Sequence, residues 1–204
     1  MSDPHELFDI VNQNDDVIGQ AERRACHGNP ALIHRAIHVL VFQPSGRLLL
    51  QKRAPNKDIQ PGKWDTSVGG HLNVGESYLA AARREMAEEL GLTGVALTFL
   101  YRSRIRNRIE SENVQTYLAI TDKSIRFDPM EISGVRYWSS EEIVRSLGKN
   151  TFTPNFEEEW ALFQDFLRCS SGQETERLGF CSGDSFPDLW QKFSAGLSGG
   201  VDTA

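Results

Sequence analysis

The stretch that decides the fold runs from Gly70 to Leu92 and reads GHLNVGESYLAAARREMAEELGL. Apolar residues recur in it at helical spacing, which predicts a helix from Glu76 to Leu90. The residues expected to face the core are Leu79, Ala82, Met86 and Leu90. Gly91 stands where a glycine commonly ends a helix, because glycine adopts the left-handed conformation at little cost.

Three glutamates of this helix share one face, because they stand at positions i, i+3 and i+4: Glu85, Glu88 and Glu89. Like charges at this spacing destabilise an isolated helix by about 0.2–0.5 kcal/mol per pair. Solvent could offset that repulsion, as it does on many charged surfaces. The apolar stripe, however, places these glutamates at the edge of the core beside the Gly69-Gly70 backbone. A divalent cation is therefore the sharper hypothesis, since Mg²⁺ prefers hard oxygen ligands.

The stretch resembles the Nudix box, G-x5-E-x7-R-E-U-x-E-E-x-G-U, in which U is apolar. Its nine constrained positions all match, and they are Gly70, Glu76, Arg84, Glu85, Met86, Glu88, Glu89, Gly91 and Leu92. The resemblance implies the Nudix fold, an α/β (α+β) arrangement in which a mixed β-sheet lies between helices. It also implies a hydrolase that cleaves a small diphosphate-containing substrate, such as a nucleoside diphosphate linked to another moiety, by water attack on phosphorus.

The same resemblance implies a role for each residue of the box. Glu85, Glu88 and Glu89 would bind Mg²⁺ or Mn²⁺ and act in catalysis, with Glu85 or a metal-bound hydroxide deprotonating the attacking water. The carbonyl of Gly70 would complete the inner shell of the metal. Glu76 and Arg84 would pair and fix the loop against the helix, which is a structural role. The metal would neutralise charge on the substrate phosphates and lower the pKa of a bound water.

A second resemblance, to type 1 isopentenyl-diphosphate isomerases, covers more of the chain, from Phe8 to Phe166. It rests on the segments Cys26 to Ala36, Leu48 to Arg53, Lys57, Pro61 to Trp64 and Gly70-His71. The resemblance implies that three histidines bind a divalent metal: His27, His34 and His71. It also implies that Arg53 and Lys57 hold the substrate diphosphate, with Lys52 beside them as a further candidate.

Two departures weaken the isomerase interpretation. The isomerases carry a catalytic cysteine just before the Gly-His pair, where this chain has Gly69, and glycine cannot transfer a proton. They also carry a tryptophan after their Phe-Ser-Pro motif, where this chain has Asn155. Since the Nudix box is intact here and degenerate in the isomerases, hydrolysis is the first hypothesis. Isomerisation is the second, and a non-catalytic nucleotide-binding or regulatory Nudix domain is the third.

Three other features each have a functional and an ordinary structural interpretation. His38 alternates within a strand and is expected to be structural. Glu110 and Glu112 precede the strand Val114 to Thr121 and are candidates for an acid or metal ligand from outside the helix, although acids at hairpin tips are usually solvated. The run from Arg102 to Arg108 would place its arginines on one face of a strand, which suits a polyphosphate, a partner or a solvated hairpin equally.

The remaining pattern predicts short strands and two further helices. Strands are expected at Leu7 to Val11, Val17 to Ala21, Ile37 to Phe42, Leu48 to Gln51, Trp64 to Gly70, Val95 to Tyr101 and Val135 to Trp138. Ser139 and Glu142 have the spacing of a capping box, and a last helix starts at Pro154. The prediction is one domain over residues 1–168, with an N-terminal hairpin extension at about 6–30, and a poorly ordered tail over 169–204 in which Phe186 to Phe193 could dock.

Composition limits the classes of protein that this chain can belong to. It has 204 residues, of which 39% are hydrophobic and 25% charged, as in ordinary globular proteins, and it has no apolar run long enough to cross a membrane. The net charge of −6 argues against extended nucleic-acid binding, and it requires that any phosphate-bearing ligand be held through a local basic cluster or a bridging metal. The family resemblance implies a small-molecule diphosphate as the binding partner. Three scattered cysteines and the absence of a signal sequence fit the cytoplasm. A homodimer is a candidate assembly.

Overall fold

A computed structural model describes residues 5–57, 59–173 and 190–191. Its strands are β1 (Leu7–Val11), β2 (Val17–Glu22), β3 (Ile33–Phe42), β4 (Leu48–Arg53), β5 (Trp64–Asp65), β6 (Val68–His71), β7 (Thr98–Arg106), β8 (Ser111–Ile120) and β9 (Ile132–Trp138). Its helices are α1 (Arg23–Cys26), α2 (Tyr78–Leu90), α3 (Ser140–Ser146) and α4 (Pro154–Gln173). No helix in these ranges is long and apolar enough to cross a membrane.

The main sheet is mixed and is centred on β3. Its strands follow the order β5-β4-β3-β8-β7, while β6 pairs with β3 and β9 pairs with β4. Strand β3 runs parallel to β8 along its whole length and antiparallel to β6. Strands β1 and β2 form a separate hairpin. The predicted arrangement, a mixed sheet between helices, is confirmed.

The two faces of the sheet support two hydrophobic cores, because successive residues of a strand point to opposite sides. Ile37, Val39 and Val41 of β3 pack against α2. Leu40 and Phe42 of the same strand pack against α4, whose buried residues are Phe156, Trp160, Phe163 and Leu167. Each face therefore carries one long helix, and the ends of the strands between them hold the polar residues described below.

Helix α2 begins two residues later than the sequence predicts. Ser77 is its N-cap, since its hydroxyl accepts a hydrogen bond from the N–H of Ala80. The helix ends, as predicted, at Gly91, whose φ is +65°. The prediction that Leu79 faces the core is wrong, because this residue is 36% exposed. Tyr78, four residues before Ala82, packs against the core in its place.

In the C-terminal half of the domain, most helices begin where the sequence predicts them. Ser139 and Glu142 form the predicted capping box at the start of α3. The predicted domain end at residue 168 falls inside α4, which continues to Gln173. Trp190, within the predicted docking segment, stacks on Phe42 with ring centroids 4.3 Å apart. The remainder of the predicted tail lies outside the described residues.

The β7–β8 hairpin differs most from its prediction. Strand β7 was expected to span Val95 to Tyr101, but it starts at Thr98 and continues to Arg106. Strand β8 starts at Ser111 rather than Val114, so that Glu112 lies within it. The pairing between the two strands explains the extension, since Arg102, Arg104 and Arg106 all have ladder partners in β8.

Candidate functional site

Helix α2 lies against strand β6 at Gly70. A Cβ atom on residue 70 would lie 2.2 Å from the Cδ atom of Glu85, which is far inside van der Waals contact. Glycine therefore allows the Glu85 carboxylate to sit directly on the backbone of β6. This contact places an ionisable oxygen beside the Gly70 main chain, as the resemblance to the Nudix box implies.

Glu89 is the most deeply buried of the three box glutamates. Its carboxylate accepts hydrogen bonds from Gln51 Nε2 at 3.1 Å and from the backbone N–H of Gly69 at 3.4 Å. Burial, together with the charge of Glu85, raises the pKa of Glu89 to about 8. Burial also raises the pKa of Glu85, although Arg84 opposes the shift. Glu88 is the solvent-facing member, since its side chain is 60% exposed.

The three glutamates line one cavity of about 190 Å³. Its other lining residues are Asp128, Glu131 and Ile132, which lie at or just before the start of β9. Sequence reasoning missed the two acids, because they stand about 40 residues after the box in a loop without a recognisable motif. Five carboxyl groups therefore converge on one small space, and a divalent cation would offset the repulsion between them.

Arg84 organises the side of this cavity that faces the loop before α2. Its guanidinium donates to both carboxylate oxygens of Glu76, at 3.0 and 2.8 Å, which is the predicted pair. It also donates to Glu85 at 2.8 Å and to Glu88 at 3.2 Å. These hydrogen bonds raise the pKa of Arg84 and keep it charged. Arg84 is thus both a clamp on the loop and a counterion for two of the glutamates.

A second cluster of potential metal ligands lies at the end of the sheet: His27, His34, His71 and Glu112. One ligand atom from each lies within 4.8 Å of the others. Glu112 is 2.8 Å from His71 Nε2 and 3.3 Å from His34 Nε2. The Nε2 atom of His27 is buried without a hydrogen-bond partner in the described structure, and that of His34 is buried against the Glu112 carboxylate. The cluster that the resemblance implied is therefore assembled, and Glu112 belongs to it.

The protonation states in this cluster suit a metal. Burial and the neighbouring cations lower the pKa of His27 to about 4, and burial also lowers the pKa of His71. The pKa of Glu112 lies well below its usual value, because hydrogen bonds from His34 and His71 outweigh its burial. A neutral imidazole and an ionised carboxylate are the forms that bind divalent metals, so the pKa shifts of His27, His71 and Glu112 favour a metal. Glu110 lies at the margin, 4.0 Å from His27.

The N-terminal hairpin covers the histidine cluster. Phe8 of β1 is fully buried and stacks on His34 and His71, with centroids 5.3 and 4.8 Å away. Arg23, which follows the hairpin, places Nη1 at 3.0 Å from His71 Nδ1. The hairpin extension is therefore part of this site, and it separates the histidines from bulk water.

The acidic cavity and the histidine cluster share strand β6 but lie on opposite sides of the sheet. Gly70 lies under Glu85 on the α2 side, and the next residue, His71, points to the other face. Arg84 connects them, because its Nη2 donates to the carbonyl of His71 at 2.9 Å.

The predicted diphosphate-binding cations do not all meet in one place. Lys57 pairs with Glu131 at 3.3 Å and so lies beside the acidic cavity. Arg53, at the end of β4, pairs with Asp65 at 3.0 Å. Lys52 lies over the ring of Trp64, 5.9 Å from its centroid, on the side of β4 opposite Gln51. The structure thus brings Lys57 to the carboxylates, and it does not bring Lys52 there.

Gly69 lies next to a buried polar pair on the α4 side of the sheet. A Cβ on residue 69 would be 3.6 Å from the His38 ring, an ordinary contact, so the space admits a side chain. His38 Nδ1 is 2.8 Å from Glu159 of α4, and Tyr101 donates to the same carboxylate at 2.7 Å. His38 therefore has the structural role predicted for it, as a partner of α4.

Comparison with known proteins gives a consistent family. A model of the NUDIX domain matches residues 32–159. The chain is 32% identical over 156 residues to an isopentenyl-diphosphate Delta-isomerase of Streptomyces coelicolor, a match that covers 74% of this chain and 79% of the isomerase. It is 32% identical over 175 residues to an uncharacterised Nudix hydrolase of Shigella flexneri, covering 84% and 93%. The crystal structure of DR0079 from Deinococcus radiodurans superposes with a TM-score of 0.63 at 27% identity, covering 72% and 92%.

Proposed function

The chain belongs to the Nudix family, and we propose that it is a Mg²⁺- or Mn²⁺-dependent hydrolase of a small diphosphate-containing substrate. The observation that carries the proposal is the cavity in which Glu85, Glu88 and Glu89 meet Asp128 and Glu131. Buried carboxylates repel one another. The raised pKa of Glu89 reflects the unfavourable free energy of ionising it beside Glu85 in a buried position. A bound cation would remove that cost and would be positioned to meet substrate phosphates.

Metal binding, proton acceptance and orientation of the carboxylates would fall to different residues of the chain. Glu85, Glu88, Glu89 and the carbonyl of Gly70 would hold the cation, which when bound neutralises phosphate charge and activates water. Glu85 is the proposed proton acceptor, because burial moves its pKa toward the working pH of a general base. Arg84 would orient Glu85 and Glu88, to which it already donates hydrogen bonds.

Substrate binding is assigned to the cations beside the cavity. Lys57 reaches Glu131 at the cavity's rim, and we propose that it exchanges this partner for a substrate phosphate. Arg53, now paired with Asp65, is the second proposed contact, since a guanidinium binds phosphate oxygens in a bidentate manner. Lys52 is the weakest of the three, because its ammonium lies over Trp64.

We further propose that His27, His34, His71 and Glu112 hold a second divalent metal. The buried Nε2 atom of His27, which has no hydrogen-bond partner among the described residues, supports this assignment, since buried polar atoms normally find one. Three imidazoles and one carboxylate suit Mn²⁺, Zn²⁺ or Fe²⁺ better than Mg²⁺, which prefers oxygen ligands. The proposed setting is a cytoplasm that supplies these ions, and a homodimer remains a prediction.

Isomerisation of an isoprenoid diphosphate is the second candidate. The histidine cluster favours it, as do the relatives that are named isopentenyl-diphosphate Delta-isomerases. Gly69 argues against it, because this residue has no group that can transfer a proton. The space beside His38 admits a side chain, so Gly69→Cys is a direct test. Isomerase activity in the unsubstituted chain would overturn the hydrolase proposal, and its gain in the variant alone would support the proposal.

A substrate panel tests the hydrolase proposal. Nucleoside diphosphates linked to sugars, nucleosides or alcohols, and isoprenoid diphosphates, would be incubated with and without Mg²⁺ or Mn²⁺. We expect metal-dependent release of phosphate or nucleotide from at least one of them. Tight binding of a nucleotide without any turnover would support the third hypothesis, a non-catalytic Nudix domain, and would contradict the proposed function.

A further inference from the structure

Strand β7 forms one edge of the main sheet and carries a row of arginines. It pairs with β8 and, among the residues that the structure describes, has no second neighbour in the sheet. Arg102, Arg104 and Arg106 stand opposite Gln115, Asn113 and Ser111 of β8 and therefore point to one face of the sheet, the face that α2 covers. Alternate residues of a strand are roughly 7 Å apart, so the three guanidinium groups form a regular series. All three arginines are exposed.

None of the three arginines has a carboxylate partner within the described residues. Arg104 donates to the carbonyl of Gln13 at 3.0 Å, and Arg106 donates to the side-chain oxygen of Asn113 at 2.7 Å. Both acceptors are neutral. No hydrogen bond or ion pair of the Arg102 side chain is found in the same part of the chain. This chain has 28 acidic residues against 22 basic ones, and yet none of the acids in the described residues forms an ion pair with Arg102, Arg104 or Arg106.

We propose that the edge of β7 binds an extended acidic peptide of another protein, which adds to the sheet as a further strand. The peptide's backbone would bond to the free edge of β7, and its acidic side chains, at alternate positions, would face Arg102, Arg104 and Arg106. Strand addition of this kind obtains affinity from the main chain and specificity from alternate side chains. Opposite charges on directly facing residues stabilise a strand pair.

Charge excludes a second copy of this chain as the occupant. Pairing of β7 with β7 would set one row of arginines against another, and like charges that face each other across strands are destabilising. An acidic partner reverses this effect. The same face already binds one carboxylate, that of Asp15, which accepts from Arg35 at 3.1 Å, Tyr78 at 3.0 Å and Asn113 at 3.2 Å. Asn113 is the ladder partner of Arg104 in the proposed binding row.

The test measures binding of a short, fluorescent synthetic peptide in which glutamate alternates with threonine. We expect the full chain to bind it, and the variant R102E/R104E/R106E to bind it at least about tenfold more weakly, because each attraction becomes a repulsion. Arg108→Glu is the matched control, since this arginine lies in the hairpin turn outside β7 and should change the affinity less than about twofold. The three single variants replace the triple variant if its melting temperature falls.

Two further probes separate strand addition from simple charge attraction. Peptides N-methylated at odd or at even residues keep their charge, but one of the two patterns blocks the hydrogen bonds to β7. Loss of binding with one pattern only supports the proposal, and equal binding of both overturns it. Inorganic tripolyphosphate provides charge without a peptide backbone. If it binds as tightly as the peptide and N-methylation has no effect, the row is a phosphate surface and the proposal is wrong.

Discussion

Gly70 and Glu85 approach each other so closely that a Cβ on residue 70 would lie 2.2 Å from the Cδ of Glu85. This contact sets the register of helix α2 over strand β6. It also explains why the spacing between the glycine and the glutamates of the box is fixed, since a shift of one residue along the helix would turn the carboxylates away. The carboxylate site therefore depends on one glycine as much as on its acids.

Gly70→Ala should damage this site severely. The added methyl group has to displace the Glu85 carboxylate, which is the end of a flexible side chain, so we expect the metal site to lose more than the unfolding free energy does. We expect metal affinity and turnover to fall at least about tenfold. Urea denaturation and metal titration provide the measurements. Gly69→Ala is the matched control, because its methyl group meets only ordinary contacts at 3.5 and 3.6 Å. Equal effects of the two substitutions would contradict the account.

Glu89→Gln should stabilise the metal-free chain at pH 8. Burial and the charge of Glu85 raise the pKa of Glu89 to about 8, so its ionised form destabilises the fold above pH 4.5, increasingly up to pH 8. The amide keeps acceptor oxygen for Gln51 and Gly69 without the charge. We expect a melting temperature several degrees higher at pH 8 and a smaller difference at pH 5. A lower melting temperature at pH 8 would show that the charge is not costly.

Arg84→Lys should show whether Arg84 positions the glutamates of the site or contributes to substrate binding. Lysine keeps the positive charge but has only three N–H donors, whereas Arg84 makes five hydrogen bonds, two of them to Glu76. We expect a loss of about 1–3 kcal/mol in unfolding free energy and a fall in kcat that exceeds the change in KM. Arg83→Lys, at the exposed neighbouring position, should change neither quantity. Similar results for both variants would contradict the role given to Arg84.

The pair His38–Glu159 should couple stability to pH. Burial alone would lower the pKa of His38, but Glu159, with help from Glu112 and Asp65, raises it above 6.5. Burial alone would raise the pKa of Glu159, but His38 and the hydroxyl of Tyr101 lower it below 4.5. The contribution of His38 to the free energy of unfolding is complete below pH 6.5 and is lost as the pH rises through the pKa of His38 in the folded state. The contribution of Glu159 is complete above pH 4.5 and is lost as the pH falls through the pKa of Glu159 in the folded state.

A double-mutant cycle measures this coupling. His38→Gln and Glu159→Gln would be made singly and together, and urea denaturation would be followed at pH 6 and at pH 9. Breaking a buried ion pair from one side costs about 3–5 kcal/mol, so each single variant should be strongly destabilised at pH 6. The coupling energy should shrink at pH 9. A coupling that is equal at both pH values would contradict the account, because it would show that the charge of His38 does not change between them.

Local patterns in the sequence predicted the parts of the site that lie within one helix. Glu85, Glu88 and Glu89 were placed correctly because helical spacing alone brings them to one face. Leu79 was placed wrongly, since a spacing of three or four residues back from Ala82 does not decide which neighbour packs. Asp128 and Glu131 could not be predicted, because only the folding of the loop before β9 brings them to α2.

The histidine cluster shows the other limit of sequence reasoning. His27, His34 and His71 stand on α1's C-terminal cap, β3 and β6, and no local spacing connects them. Resemblance to a family suggested the set, and the parallel pairing of β3 with β8 brings Glu112 opposite His34. The sequence offers Glu112 as a candidate metal ligand, and the strand ladder, a long-range feature, places it with the histidines.

The most direct test of the central claim is metal-dependent turnover by the Glu89→Gln variant. A diphosphate substrate that the unsubstituted chain hydrolyses would be assayed over a range of Mg²⁺ concentrations, with circular dichroism to establish that both proteins are folded. If the carboxylates of α2 hold the catalytic cation, the variant loses Mg²⁺-dependent release of phosphate products while its fold persists. Turnover that equals that of the unsubstituted chain, with the same dependence on Mg²⁺, would contradict the account.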